Sequence, residues 1–231
     1  MGEVTRLWYH GNRFGRRVVL VFATYFFSDF GYAGLGLFLN LEPPSAWVKR
    51  WAHLLPLSEE LNMNDSANLA DVLDLACGHG RHMQFLSDLG HKVLGVDRNA
   101  EALKTASQWG DILLADIENA AWPLDGRTFK AVVVTNYLWR ELFSQILNSL
   151  AEGGVLIFET FSHGNEAFGK PSRPEFLLQP GELLQLCNGL RIVAFEEGFM
   201  PSPDRLIQRV VAIRVPSGLE PAALSRILVS P

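Results

Sequence analysis

Residues 71–97 read DVLDLACGHGRHMQFLSDLGHKVLGVD. DVLDLA (71–76) is a short apolar run, as expected of a strand buried on both faces of a parallel sheet. It gives way to a turn built on Gly78 and Gly80. RHMQFLSDLG then has helical spacing and closes at Gly90, where a helix commonly ends in a left-handed residue. KVLGVD (92–97) reads as a second strand. Working outward, NAEALKTASQ (99–108) is a helix with Asn99 as its cap, DILLAD (111–116) a third strand and FKAVVVTN (129–136) a fourth. ELFSQILNSL (141–150) is the next helix, and GGVLIFET (153–160) a fifth strand. Alternation at this spacing marks a doubly wound parallel sheet.

The two ends of this series carry their own signals. Pro43-Pro44-Ser45 precedes AWVKRWAHLL as a helix start with Ser45 as cap. ELLQLC (182–187) follows Pro180-Gly181 as a last helix. LRIVAFEEGFM (190–200) and RLIQRVVAIRV (205–215) are strands separated only by Pro201–Asp204, a link that permits only antiparallel pairing. The expected fold is therefore α/β, a three-layer sandwich around a doubly wound seven-stranded sheet with a C-terminal antiparallel hairpin. The expected domain is 45–215, with an N-terminal extension at 1–44 and a tail at 216–231.

The chain has 231 residues, 48% of them hydrophobic and 19% charged, which suits one large domain with a substantial core and argues against disorder. A formal net charge of −5 and the lack of any basic run make nucleic acid a poor partner. The two cysteines, Cys77 and Cys187, lie far apart, so neither a disulfide framework nor a zinc site is expected, and a reducing compartment is. No metal site is expected. Residues 18–41, VVLVFATYFFSDFGYAGLGLFLNL, are formally long enough to span a bilayer, and Arg13, Arg16 and Arg17 precede them. Asp29 near the middle would cost roughly 2.5–3.5 kcal/mol on insertion scales. Three readings stay open for this run: a membrane anchor, a peripheral segment, or an extension upstream of the ordinary start.

The chemistry gathers at strand ends. In DLACGHGR (74–81), Asp74 closes the first strand, and Ala76, Gly78 and Gly80 lead into a helix N-terminus whose free N–H groups suit an anion. The dinucleotide fingerprint would need a third glycine where Met83 stands, and an acid at position 74 suits an amino group better than a pyrophosphate. Asp97, followed by Arg98, ends the second strand, where an acid can accept both hydroxyls of a ribose. Asp116 ends the third strand, placed to accept from an adenine amino group while Ile117 packs on the ring. Each acid alone is as readily a turn or cap residue, but together they share the functional edge of the sheet at its switch point.

The run VLDLACGHGRHMQFLSDLGHKVLGVDRNAEAL resembles the cofactor motifs of class I S-adenosylmethionine-dependent methyltransferases, and the seven-strand ending matches that family as well. The resemblance covers about residues 45–215. It implies S-adenosyl-L-methionine as cofactor, with Asp74 and the Gly78–Gly80 turn on the methionine moiety, Asp97 on the ribose, and Asp116 with Ile117 on the adenine. Arg81 would pair with the cofactor carboxylate, or else be a solvated first-turn arginine. Asn136 and Tyr137 would stand near the methyl group and the acceptor. The sequence departs from enzymes that methylate adenine or glutamine, because NYLW (136–139) lacks their N/D-P-P-Y/F signature. The stretch ETFSHGNEAFGKPSRPEFLLQPGELL (159–184) resembles small-molecule methyltransferases of the tellurite-resistance-like bacterial group.

Methyl transfer asks mainly for in-line positioning and desolvation, and for a base only where the acceptor must lose a proton early. Glu159 and His163 are the candidate bases; His163 is more readily an exposed loop histidine. Tyr137 would orient the acceptor or face the sulfonium, or simply pack against the loop 160–178, a candidate lid. The expected protein is a cytoplasmic enzyme with a small-molecule acceptor, and membrane contact through residues 18–41 stays open. Two alternatives are carried beside it: a nicotinamide-dependent oxidoreductase, and a non-catalytic cofactor-binding module attached to a membrane through residues 18–41.

Overall fold

A computed structural model describes residues 41–56 and 70–218. Residues 1–40 of the N-terminal extension, which hold all but the last residue of the apolar run, and residues 219–231 of the tail lie outside the described residues, and so do the expectations placed on them.

Seven strands form one sheet: β1 Val72–Leu75, β2 Val93–Asp97, β3 Asp111–Leu114, β4 Phe129–Thr135, β5 Leu150–Phe161, β6 Arg191–Met200 and β7 Arg205–Ile213. Their order is β3-β2-β1-β4-β5-β7-β6. β1 to β5 pair in parallel, and β7 runs antiparallel to both β5 and β6. The chain moves outward from β1 through β2 to β3, then returns to add β4 on the other side of β1. The C-terminal ends of β1 and β4 therefore part around a crevice, the switch point where ligands sit in open α/β sheets.

Side chains alternate between the two faces because successive residues of a strand point oppositely. Leu73, Leu75, Val132, Val134, Leu156 and Phe158 face one layer, with α4 Phe143–Asn148 and α5 Glu182–Leu186. Val72, Val93, Val133, Val155 and Ile157 face the other, with α1 Ala46–Trp51, α2 Arg81–Asp88 and α3 Ala100–Ala106. The result is the expected three-layer sandwich. No helix covers the crossover from β3 to β4; Leu124 fills that side instead, 1% exposed.

Six residues are too few for an independent helix, so α1 owes its existence to packing. Trp47 and Trp51 are buried edge to face, 5.6 Å apart, and the Trp47 indole N–H donates to the Val210 carbonyl. Ser45 caps α1 as expected, accepting from the Trp47 N–H, and Asn99 caps α3 by accepting from Glu101 and Ala102. Gly80 caps α2 in the left-handed region, at φ +84°. A Cβ there would stand 2.9 Å from the Ala106 Cα, so only glycine lets α2 approach α3 this closely. Several expected boundaries move by a few residues, among them α4, which spans Phe143–Asn148, and β7, which ends at Ile213. β3 ends at Leu114, which puts Asp116 in the following loop, and β5 starts three residues earlier than expected, at Leu150, with an irregularity opposite Phe129 and Ala131.

Candidate functional site

β1 delivers Asp74 to the α2 side of the sheet, one residue before the strand ends. Asp74 is 1% exposed; the Met83 N–H of α2 lies on the side of its carboxyl and favours the charged form, while among the described residues Oδ2 meets no partner. Burial pushes Asp74 up to about 7, against the downward pull of the nearby Arg81 guanidinium; the Asp97 charge adds a smaller upward push. A buried carboxylate oxygen left open is costly, roughly 1–3 kcal/mol when unpaired, so a donor that reached it would be held favourably.

Beyond Asp74 the chain turns sharply. Ala76 holds φ +56°, unusual for any residue with a Cβ, and Gly78 holds φ +54°. Among the described residues, and leaving out its chain neighbours, nothing lies within 4 Å of where a Cβ on Gly78 would stand, so they leave open space directly above that backbone. The Gly78 N–H donates to Asp97 Oδ2 at 2.8 Å, and the Asn99 N–H donates to Asp97 Oδ1 at 2.8 Å. Asp97 thus braces the glycine turn and the start of α3 at once, and each oxygen keeps a lone pair for a ligand.

A second open depression continues from there, lined by Arg98, Asn99, Ala100, Leu114, Ala115 and Asp116, with a volume of about 780 Å³. Asp116 is exposed. Its Oδ1 accepts from the Glu118 and Asn119 N–H groups and its Oδ2 from the Asn119 amide, which together hold its carboxyl below the usual range. Ile117 is 6% exposed and belongs to the same core cluster as Val96, Leu124 and Leu138, which leaves little of it for a ring to cover. Arg98 pairs with Glu118 at 3.3 Å, joining the loops after β2 and β3.

On the other side of the crevice, Asn136 follows β4 at φ +55°, and its N–H donates to the Glu159 carbonyl. The Tyr137 hydroxyl is buried without a well-formed hydrogen bond. Burial, and then the facing Glu118 carboxylate, push the phenol above its ordinary value. Tyr137 therefore groups with Glu118, Arg98 and Asp116 rather than with the end of β5.

Glu159 stands on β5 at 1% exposure, and both of its oxygens are committed. Oε1 accepts from the Ser45 hydroxyl at 2.9 Å, and Oε2 faces Arg209 Nη1 at 3.3 Å. Arg209 also reaches Glu196 and lies 4.6 Å over the Trp47 ring. His82 is buried beside this network. Its Nε2 accepts from the Ser45 N–H, and burial, followed by the Arg81 charge, lowers its pKa to about 3, so the ring is neutral. His163 is exposed, with its N–H on the Leu178 carbonyl. Cys77 and Cys187 are buried and unpaired, and burial raises both thiols.

The loop expected as a lid is pinned at several points. The buried Asn165 accepts from the Leu206 N–H and donates to the Pro171 carbonyl. Arg140, which follows the Asn136–Trp139 segment, makes a two-pronged pair with Glu182 (2.6 and 2.9 Å) and also donates to the Glu175 and Leu177 carbonyls. Gln208, fully buried, ties the Leu183 N–H to the Gln179 carbonyl. None of Arg140, Gln208, Arg209 or Ser45's link to Glu159 was legible as site chemistry, because their partners lie tens of residues away; Glu118, two residues past Asp116, was in view.

Residues 72–154 match the family model described as a methyltransferase domain. No curated protein matches the chain. Among solved structures, it is similar to TehB from Haemophilus influenzae, at 19% identity and a TM-score of 0.53, over 64% of this chain and 58% of that one. The matched region thus spans little more than half of the TehB chain. An S-adenosylmethionine-dependent methyltransferase from Methanosarcina mazei is similar at 16% identity and a TM-score of 0.51, over 67% and 96% of the two chains. The N-methyltransferase NodS from Bradyrhizobium japonicum is similar at 17% and 0.50, over 63% and 86%. At these identities the likeness is one of fold. Among the described residues, no helix is long and apolar enough to cross a membrane.

Proposed function

Proceeding from the match of residues 72–154 to a methyltransferase-domain model, we propose that the protein transfers the methyl group of S-adenosyl-L-methionine to a small-molecule acceptor, releasing S-adenosylhomocysteine. One observation carries the reading: the unpartnered Asp74 Oδ2, buried at the foot of a crevice that opens over Gly78. An ammonium group is the donor that such an oxygen lacks, and a pyrophosphate would be repelled by it. The residues present fit this cofactor. Asp74 accepts from the amino group and Arg81 meets the carboxylate. Asp97 takes the ribose hydroxyls on its free lone pairs, and Arg98 and Asp116 border the adenine, to which the buried Ile117 offers only its edge. Ala76, Gly78 and Gly80 bring the backbone close to the ligand, and Asn136 closes the far side.

The bound cofactor supplies a sulfonium methyl that is already electrophilic, so the protein's task is to hold an acceptor in line and exclude water. Tyr137, with its phenol kept protonated by burial and by Glu118, acts as a hydrogen-bond donor and orienting wall. Glu159 fixes Ser45 and Arg209 and so shapes the crevice, and it is a positioning residue rather than a base. His163, exposed beside the end of β5, is the group left to take a proton from an acceptor that must lose one.

Calorimetric titration of the full chain with S-adenosylmethionine, S-adenosylhomocysteine and NADH tests the reading. Micromolar binding of the two sulfur nucleosides and none of NADH is expected, with Asp97→Ala weakening the former at least tenfold. Binding of NADH alone would establish the oxidoreductase alternative, and normal affinity in Asp97→Ala would remove the ribose assignment.

A further inference from the structure

We propose that Glu42 is a built-in stand-in for the carboxylate of the cofactor's amino-acid end, held on Arg81 until the cofactor binds and displaced when it does; this rests on the cofactor reading above. Arg81 opens α2 directly after the Gly78–Gly80 turn, and its charge acts on Asp74. An anionic acceptor and a cationic donor side by side match the two charged groups of an α-amino acid. The donor is already engaged. Arg81 Nη1 lies 3.2 Å from Glu42 Oε2 and 3.4 Å from the Pro43 carbonyl.

The geometry upstream of α1 presents Glu42 to Arg81 without burying it. Ser45 is anchored twice at the crevice, by its N–H on His82 Nε2 at 3.1 Å and by its hydroxyl on Glu159 Oε1 at 2.9 Å. Pro43 and Pro44 lie between that anchor and Glu42, and their fixed φ angles stiffen the link. The Glu42 side chain is 84% exposed, and among the described residues Arg81 is its one ion-pair partner. Leaving Arg81 returns Glu42 to water at small cost. Keeping it there while a second carboxylate arrives sets two like charges on one guanidinium. The ligand's carboxylate therefore competes with Glu42, and the competition is confined to ligands that carry that group.

An exposed ion pair of this kind corresponds to roughly a 1.5- to 5-fold change in an equilibrium constant. The experiment is calorimetric titration of the full chain at low ionic strength, comparing wild type with Glu42→Gln, Glu42→Ala and Glu152→Gln. The last variant removes the same charge at the opposite end of β5. Glu42→Ala guards against a hydrogen bond from the new amide to Arg81. Each protein is titrated with S-adenosylhomocysteine and with 5′-methylthioadenosine, which keeps the nucleoside thioether and lacks the amino-acid end. Both Glu42 variants are expected to bind S-adenosylhomocysteine about two- to fivefold more tightly, with Glu152→Gln like wild type and 5′-methylthioadenosine unchanged throughout. Equal S-adenosylhomocysteine affinity in wild type and both Glu42 variants, or an equal gain for 5′-methylthioadenosine, overturns the inference while leaving the cofactor reading intact. Failure of wild type to bind S-adenosylhomocysteine overturns the cofactor reading itself. Urea midpoints of the variants, expected to match wild type, confirm that folded proteins are compared.

Discussion

Asp74→Asn should make the protein more stable at alkaline pH when no ligand is added, and at the same time less able to bind its cofactor. Asp74 is 1% exposed, Oδ2 has no partner among the described residues, and burial pushes its carboxyl up to about 7 from an ordinary 3.8. The unfolded chain returns it to the ordinary value. The folded state therefore holds the Asp74 proton more tightly than the unfolded one. The stability this contributes is complete below about pH 4 and is lost as pH rises toward and through 7. At about 1.36 kcal/mol per pH unit, the gap between 3.8 and about 7 amounts to roughly 4 kcal/mol at pH 8. Asparagine keeps the shape without the charge: its carbonyl can accept the Met83 N–H, and its amide faces the open crevice. Asp74→Asn should then exceed wild type by about 2–4 kcal/mol at pH 8, on the order of 5–15 °C in Tm for a chain of this size. The difference should shrink toward zero near pH 4. Thermal and urea unfolding at pH 4.5, 6 and 8 read it directly, beside calorimetry with S-adenosylhomocysteine, whose affinity should fall at least tenfold. A variant no more stable than wild type at pH 8, or a gain that does not depend on pH, would refute the reasoning.

Two further substitutions test separate parts of the site. Ala76→Gly relieves a left-handed residue at φ +56°; set against the extra freedom that glycine brings to the unfolded chain, the net gain should be about 0.5–1 kcal/mol, visible as a Tm raised by roughly 1–4 °C. A lowered Tm would mean that the Ala76 methyl packs more strongly than its backbone is strained. Arg140→Gln breaks the clamp on Glu182 and on the Glu175 and Leu177 carbonyls, and should cost about 2–4 kcal/mol and expose residues 163–181 to limited proteolysis, with S-adenosylhomocysteine affinity unchanged. An affinity that falls in step with stability would show that the clamp also holds the cofactor end.

The sequence by itself determined the sheet and the edge of it at which the candidate site residues gather. Parallel strands buried on both faces are written as nearly continuous apolar runs, so DVLDLA, KVLGVD and FKAVVVTN declare themselves. A four-residue link leaves β6 and β7 no pairing but an antiparallel one. Local rules also fixed Ser45 and Asn99 as caps, since a cap and the N–H groups it serves are neighbours in the chain. Asp74, the glycine turn and Asp97 were legible for a related reason: a parallel sheet sends every strand end to one edge, so acids at strand ends meet in space. Tertiary structure decided what each of these groups is free to do. Glu159 reads as a base until Ser45 and Arg209, which approach from α1 and β7, occupy both of its oxygens. Arg81 reads as a free cation until Glu42 arrives from upstream of α1. The loop 160–178 reads as a lid until Arg140 and Asn165 pin it. Hydrogen bonds and ion pairs act over about 3 Å whatever the separation along the chain, so only the folded chain settles which charges are already spent.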